Sequence, residues 1–457
     1  MERISAAHAL TPNGWEQNVT IAIEGGRIAS VERMEASPAR FVDLRLHAPV
    51  NLHSHAFQRA MSALAEARET EIGESFWTWR RTLYHFLDKL VPNQVEAIAA
   101  LAFMEMLEAG YGAVVEFHYL HHGLGGAPYD DPAEMAAHIV AAAQAAGIGL
   151  TLLPVLYMHG GCDYRPLSGV QQRFGNNMES FARLHDASRR HIRHAYPDYA
   201  IGVAPHSLRA VDPGSLNDVT TLASKDEKIH IHLAEQEAEI RETLAHLGAR
   251  PVEWLLQHQD IGPRWCCVHC TQMTAQETQA LAASGAVAGL CPITEANLGD
   301  GIFNAVEFAA AGGRFGIGSD SNVHITLFEE LCLLEYSQRL RDHSRAALAQ
   351  AGRSTGRVLY ETALAGGAQA AARDSGSISP GAVADLVALT SDNEWLCGRV
   401  GDPALDSLIF SGRGRNCVRD VWSAGRHVVK EGRHVARDRI VGNFIRVMQT
   451  LSQDFPL

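Results

Sequence analysis

Short apolar runs recur along the middle of this chain, and their rhythm leaves few folds open to it. Between about residue 48 and residue 375 they alternate with longer segments of helical periodicity, as parallel strands and crossover helices do. The runs with strand character end near His55, His118, Pro154, Pro205, His232, His269, Leu290 and Asp320. Eight strands close a (β/α)8 barrel. We therefore expect an α/β fold with a TIM-like barrel over residues 48–375.

The two ends of the chain have a different pattern. NVTIAIEGGRIASVER reads as two alternating strands joined by Gly25 and Gly26, which is a β-hairpin signal. Near the other end, ADLVALT and VRDVWSAGRHVVKEGRHV give further alternating strands. We expect residues 1–47 and 376–457 to form one small composite β-sandwich domain, with a helix at the C-terminus.

Charge and composition exclude several classes of partner. The 457 residues carry a formal charge of −13, which disfavours nucleic acid and anionic membranes as principal partners. The N-terminus lacks a signal-peptide pattern and no apolar run is long enough to cross a bilayer, so the expected location is cytoplasmic. The 8 scattered cysteines then indicate reduced thiols, not a disulfide framework.

The first apolar run ends in NLHSHAFQ, with histidines at 53 and 55. Side chains alternate along a strand, so both imidazoles point to one side and can bind one cation. A pair of this kind is, on its own, more often two hydrogen-bonded histidines in a polar crevice. Residues at other strand ends favour the metal-binding interpretation instead.

Three further strand ends carry ligand-type residues. KIHIHLAEQE places His232 at a strand end with Glu235 shortly after it, WCCVHCT places His269 at the next, and GRFGIGSDS places Asp320 at the last. Each has an ordinary structural interpretation, such as a core histidine or a helix cap. Because all of them fall at one mouth of the inferred barrel, a metal site with imidazole and carboxylate ligands is favoured. These ligands suit zinc and also iron.

Several longer phrases resemble the amidohydrolase superfamily. They are NLHSHAFQRAMSALAE, SFWTWR, AVVEFHYLHH, GIGLTLLPVLY, HSLRAV, HIHLAEQ, GAVAGLCPITEANLGDGIF and GIGSDSNV. Within the superfamily, SFWTWR, HSLRA and TEANLGDGIF resemble the enzymes that act on formiminoglutamate. The resemblance implies hydrolytic deimination of N-formimino-L-glutamate to N-formyl-L-glutamate and ammonia in histidine degradation, by a zinc enzyme that forms a homodimer.

The resemblance also implies a role for individual residues. It makes His53, His55, His232 and Asp320 the metal ligands, Glu235 the proton shuttle and His269 a partner of the attacking water. Because Asp320 would lie beside the metal, we also expect it to accept the proton of that water. It implies substrate binding by Gln58, Arg80, Tyr119, His206 and Arg209. The third and fourth strand runs contain no lysine to serve as a carboxylated bridge between two metals, so we expect one ion per subunit.

Two other functions remain open at this point. A purine or pterin deaminase of the guanine type shares the metal shell, but its site favours aromatic stacking over paired arginines. A non-catalytic scaffold of the same superfamily is the second alternative, and it predicts lost ligands. The polar, glycine-containing segment GCDYRPLSGVQQRFGNN is the candidate lid over the mouth.

Overall fold

The computed structural model describes residues 1–33, 42–64, 66, 83–84, 86–390, 392–414 and 416–453. The N-terminal strands are β1 (Glu2–Thr11), β2 (Gly14–Glu24), β3 (Arg27–Arg33) and β4 (Val42–His47). Strands β2 and β3 pair antiparallel across Gly25 and Gly26, both of which have positive φ. The hairpin predicted at this glycine pair is therefore confirmed.

The middle of the chain supplies the parallel barrel strands. They are β5 (Val50–Ser54), β6 (Ala113–His118), β7 (Gly149–Leu156), β8 (Ala200–Ile201) with β9 (Ala204–Pro205), β10 (Ile229–Leu233), β11 (Trp265–His269), β12 (Val287–Leu290) and β13 (Arg314–Ile317). The fourth predicted run is interrupted at Gly202 and Val203, which separate β8 from β9. Gly202 has no room for a side chain, because a Cβ there would lie 2.5 Å from the carbonyl oxygen of Lys228. The strand ends otherwise fall within a few residues of their predicted positions.

Two hydrogen-bonded sheets make up the barrel wall. One contains β5 to β8 and the other β10 to β13, and all pairs within them are parallel. Single parallel bridges join the sheets, from Ser54 to Asp320 on one side and from Val203 to Ile229 on the other. These bridges close the wall, and the predicted barrel is confirmed.

Helices surround the barrel. They are α1 (Pro92–Glu108), α2 (Glu134–Ala146), α3 (Met178–Arg193), α4 (Pro213–Leu222), α5 (Glu237–Leu247), α6 (Pro251–His258), α7 (Ala275–Ser284), α8 (Pro292–Leu298), α9 (Ala305–Ala310), α10 (Leu327–Asp342) and α11 (Thr355–Ala370). Short 3-10 segments lie at Ala56–Met61, Leu124–Gly126 and Gly169–Arg173. Helix α2 stops at Gly147, which adopts the left-handed conformation.

The C-terminal part of the chain returns to the N-terminal strands. It contains β14 (Leu386–Leu389), helix α12 (Asp402–Ser407), a π turn at Leu408–Gly412, β15 (Val418–Ser423), β16 (Arg426–Lys430), β17 (Arg433–His434) and helix α13 (Arg437–Gln453). Strand β14 pairs with β4, and in the described residues the two chain ends form one mixed sheet in the order β17-β16-β15-β14-β4-β1-β2-β3. A small β domain built from both ends is thus confirmed, whereas its exact boundaries remain a prediction.

The two faces of this sheet bury different clusters, as the alternation of a strand requires. Val387 and Leu389 of β14 belong to the main core that includes the barrel, while Leu386 and Ala388 belong to a separate apolar cluster.

None of the described helices has the length and apolar character needed to span a membrane. The eight cysteines all lie in the described residues and form no disulfide with one another, and Cys397 is the exposed one among them.

Candidate active site

The predicted ligands meet at the carboxyl ends of the barrel strands. Candidate ligand atoms of His53, His55 and Asp320 lie within 4.8 Å of one another, and so do those of His53, His232 and His269. The Nε2 of His53 is 3.1 Å from Nε2 of His232 and 3.6 Å from Oδ1 of Asp320. The structure thus brings together side chains that are far apart in the sequence.

Backbone carbonyls fix the imidazoles of His55 and His232. The Nδ1 of His55 lies 2.9 Å from the carbonyl oxygen of Phe117, and Nδ1 of His232 lies 3.1 Å from that of His206. A carbonyl only accepts hydrogen bonds, so each Nδ1 carries the proton and each Nε2 presents a lone pair. In His55 that lone pair faces Oδ1 of Asp320 at 3.3 Å. Acceptors that converge in this way are the donor set of a cation site.

Burial keeps these rings in the neutral form that binds metals. It lowers the pKa of His55 to about 3, and it lowers the pKa of His53 and His232 well below the ordinary value, with neighbouring histidines adding to the effect. Among the described residues, Nδ1 of His53 is buried without a hydrogen-bond partner. The donor set therefore fits a divalent ion such as zinc.

Asp320 stands on a turn that the surrounding side chains hold. Its φ is +45°, a left-handed conformation that non-glycine residues rarely adopt, and the next-but-one residue Asn322 has φ +56°. The Asn322 amide donates to Ser54 Oγ at 3.1 Å and to the Asp320 carbonyl at 3.0 Å. Burial raises the pKa of Asp320 to about 7, with Glu235 and Glu295 adding to the effect and His269 opposing it.

Glu235 and His269 flank the convergence point. Oε1 of Glu235 lies 3.9 Å from Nε2 of His269, and Nε2 of His269 lies 3.8 Å from Oδ2 of Asp320. Burial lowers the pKa of His269, but Glu235, Glu295 and Asp320 outweigh it and raise that pKa to about 10. A carboxylate and an imidazole that carries a proton thus stand beside the predicted metal ligands.

Arg209 lies next to Glu235. Its Nη2 is 3.9 Å from Oε2 of Glu235, and within the described part of the chain its buried Nε has no hydrogen-bond partner. Burial lowers the pKa of Arg209, but the carboxylates of Glu239 and Glu235 reverse the shift and raise it. A buried guanidinium with an unused donor can bind a carboxylate of the substrate.

The predicted metal ligands His55, His232 and Asp320 line a cavity. The other predicted substrate residues lie around this cavity, with one exception. Gln58, Tyr119 and His206 line it together with Arg209. Gln58 Nε2 donates to Tyr119 Oη at 2.9 Å, which leaves the amide oxygen of Gln58 buried and unpaired among the described residues. Arg80, the remaining predicted substrate residue, lies outside the residues that the structure describes.

The cavity also contains residues that sequence reasoning missed. Its wall includes the aromatic rings of Tyr84, Tyr157 and Phe174, and it includes Thr294 and Leu298. Tyr157 directly follows β7, so the strand-end rule that found the histidines identifies it too. Phe174 belongs to the candidate lid segment, but no sequence signal singled out this residue. The lid role of that segment remains a prediction.

A further missed residue, Glu239, supports the turn that carries Glu235. Its carboxylate accepts hydrogen bonds from the backbone N–H of Ala234 at 3.2 Å and of Glu235 at 3.0 Å. Ala234 has φ +51°, so these bonds hold a turn that is strained for alanine. The signal was present in the sequence as the third acidic residue of HLAEQEAE, but only the first, Glu235, has an evident catalytic position.

Comparison with known proteins agrees with this arrangement. A sequence model described as "Amidohydrolase family" matches residues 48–428. A crystal structure of an amidohydrolase from Brucella melitensis superposes with a TM-score of 0.94 at 48% identity, covering 99% of this chain and 100% of the other. A zinc-bound adenosine deaminase from Xanthomonas campestris has the same fold at 22% identity, with a TM-score of 0.79 over 99% of this chain and 98% of the other. The chain belongs to the amidohydrolase family.

Within that family the chain is similar to formimidoylglutamate deiminases and, at lower identity, to an 8-oxoguanine deaminase. The model "Formimidoylglutamate deiminase HutF, N-terminal domain" matches residues 1–39. Formimidoylglutamate deiminase of Pseudomonas aeruginosa is 46% identical over 455 residues, which cover 99% of this chain and 100% of that protein. An 8-oxoguanine deaminase of the same organism is 27% identical over 84% of each chain.

Proposed function

We propose that this protein hydrolyses N-formimino-L-glutamate to N-formyl-L-glutamate and ammonia. The observation that carries the proposal is the position of Arg209, whose guanidinium lies 3.9 Å from Glu235 at the edge of the histidine cluster. A short linear substrate with carboxylates suits a site where a carboxylate-binding group is this close to the reacting atoms. The full-length similarity to a formimidoylglutamate deiminase supports the same substrate.

We assign His53, His55, His232 and Asp320 as ligands of one zinc ion. The protein supplies three neutral imidazoles and a carboxylate, and each of these groups is buried. Backbone carbonyls fix the tautomers of His55 and His232. A divalent ion bound there supplies Lewis-acid activation of water at neutral pH. The same donors accept iron, and elemental analysis of purified protein distinguishes the two metals.

The other residues then have defined tasks. Asp320 accepts a proton from the attacking water as it adds to the amidine carbon. His269 donates a hydrogen bond from Nε2 to that water and opposes the charge that develops. Glu235 shuttles protons to the terminal nitrogen of the formimino group, which gains the proton accepted by Asp320 and the proton left on the added oxygen. The carbon–nitrogen bond then breaks, ammonia leaves and the water oxygen remains as the formyl oxygen. Arg209 binds a substrate carboxylate, with Gln58, Tyr119 and His206 as further contacts.

Guanine-type deamination is the second candidate, because the cavity wall is aromatic. Tyr84, Tyr119, Tyr157 and Phe174 all line it, and such rings also bind heterocycles. An ammonia-release assay on guanine and on the formimino derivatives of glutamate, aspartate and glutamine tests both candidates, with metal content measured on the same sample. Release from formiminoglutamate and none from guanine is expected. Release from guanine alone refutes the proposal.

Other parts of the proposal rest on the resemblance or the sequence alone. These are the homodimer, the place of the reaction in histidine degradation and the cytoplasmic location. The non-catalytic scaffold predicts that ligands are lost, whereas His53, His55, His232 and Asp320 are all present. Size-exclusion chromatography with light scattering tests the dimer directly.

A further inference from the structure

Glu295 lies beside the site on helix α8, just after the seventh barrel strand. Its side chain is buried, and Oε1 lies 3.3 Å from Nδ1 of His269. The same oxygen accepts a hydrogen bond of 2.8 Å from the backbone N–H of Cys291. Glu295 therefore touches an imidazole of the reaction centre without lining the cavity that receives the substrate.

The contact with Glu295 determines which nitrogen of His269 donates to it and which nitrogen faces the cavity. A carboxylate accepts hydrogen bonds, so Nδ1 carries the proton that it donates to Glu295. The opposite nitrogen, Nε2, then faces Oε1 of Glu235 at 3.9 Å and Oδ2 of Asp320 at 3.8 Å. His269 itself has φ +72°, so its backbone is in a conformation that surrounding contacts must maintain.

We propose that Glu295 is a positioning residue for the reaction, which holds the His269 ring with Nε2 directed at the attacking water. The inference rests on the proposed function, because it assigns Glu295 to the same hydrolytic step. The physical basis is general: a catalytic imidazole needs a third group that fixes its orientation and tautomer. The alternative is that Glu295 only caps the first turn of α8 through the Cys291 N–H.

Substitutions separate these roles. Glu295→Leu removes the acceptor, whereas Glu295→Gln keeps an oxygen that accepts from both N–H groups but removes the charge. Glu335→Gln is the matched control, because Glu335, on helix α10, is a buried carboxylate that accepts hydrogen bonds from the backbone N–H groups of Ala347 and Leu348. All three proteins are compared in kcat, KM and bound metal.

Because orientation acts on the chemical step, kcat is expected to fall about 100-fold in Glu295→Leu and about 10-fold in Glu295→Gln. The KM and bound metal stay at the wild-type level, and Glu335→Gln keeps its kcat. A kcat within about threefold of wild type in Glu295→Gln, which is nearly isosteric, overturns the proposal. So does an equal loss in Glu335→Gln.

A second readout is independent of the substrate. In metal-loaded protein labelled with ¹⁵N-histidine, NMR is expected to show His269 protonated at Nδ1, with that signal changed in Glu295→Leu and retained in Glu335→Gln. The His269→Asn variant assigns the signal. An unprotonated Nδ1 in the wild type refutes the contact. If the wild type releases no ammonia from formiminoglutamate, the proposed function fails, while the NMR result still decides the Glu295–His269 pair.

Discussion

The chemistry of this protein depends on a few buried polar atoms whose partners are fixed. The carbonyls of Phe117 and His206 select the tautomers of His55 and His232, and burial keeps both rings neutral. In water the same imidazoles ionise near pH 6.5. The fold thus prepares ligands that are ready to bind a cation at neutral pH.

Glu235→Gln is expected to keep the metal and lose turnover. The amide has nearly the same size but cannot deliver a proton to the leaving nitrogen, so kcat falls by about 10²- to 10⁴-fold. Steady-state kinetics and elemental analysis of one preparation measure both effects. A rate close to wild type removes Glu235 from the mechanism.

Arg209→Met is expected to weaken capture of the substrate. A charge-assisted hydrogen bond contributes about 1.5–3 kcal/mol, so kcat/KM for the dicarboxylate falls by about 10- to 150-fold. The comparison is with Arg183→Met, which removes an exposed arginine on helix α3 that pairs with Glu179. Equal kcat/KM values for the two variants contradict the assignment of Arg209.

The strand ends and the turns that follow them decide where these atoms lie. Alternation of apolar and helical segments was sufficient to predict the barrel strands and the mouth at which His53, His232, His269 and Asp320 meet. It was insufficient for the left-handed turns at Ala234 and Asp320, because no glycine marks those positions. Hydrogen bonds to the side chains of Glu239 and Asn322, a few residues further along the chain, hold these turns.

Asn322 tests the support of the Asp320 turn. Its side-chain N–H group donates hydrogen bonds to Ser54 Oγ and to the Asp320 carbonyl, and its side-chain oxygen accepts one from Ser319 Oγ. We expect Asn322→Ala to destabilise the fold by about 1–3 kcal/mol and to weaken metal binding by about 10- to 100-fold. Chelator competition measures the second effect, and unchanged affinity shows that the turn holds Asp320 without Asn322.

The barrel and the β domain are joined by a buried ionic cluster. Arg373 donates to Asp385 through Nε at 2.6 Å and Nη2 at 2.9 Å, and to the carboxylate of Asp198 at 3.0 Å. Arg426 of β16 also donates to Asp198, at 2.7 Å and 2.9 Å. Composition and spacing do not reveal such a cluster, because its members come from four separate parts of the chain.

Arg373→Met is expected to destabilise the protein. It leaves Asp385, which is fully buried, without its guanidinium partner, and breaking a buried pair in this way costs about 3–5 kcal/mol. Urea unfolding followed by circular dichroism measures the loss against Arg27→Met, whose ion pair with Asp374 is exposed. A loss no larger than that of Arg27→Met shows that the cluster does not join the two parts.

The family, the barrel and most of the site were accessible from the sequence because their signals are local or carried by motifs. Tyr157 and Glu239 were accessible in principle, since one follows a strand and the other belongs to HLAEQEAE. Glu295 was hidden, since the TEANLGDGIF motif identifies a family without showing which atom reaches His269. The Glu295–His269 contact joins two segments that are distant in sequence, so it is seen only in the folded chain.

Anomalous X-ray diffraction at the zinc absorption edge, from crystals of metal-loaded protein, tests the proposed ligand set. We expect one peak at the barrel mouth, about 2.0–2.2 Å from a nitrogen of His53, His55 and His232 and from a carboxylate oxygen of Asp320. A mouth without a peak, or an ion held by other residues, contradicts this account.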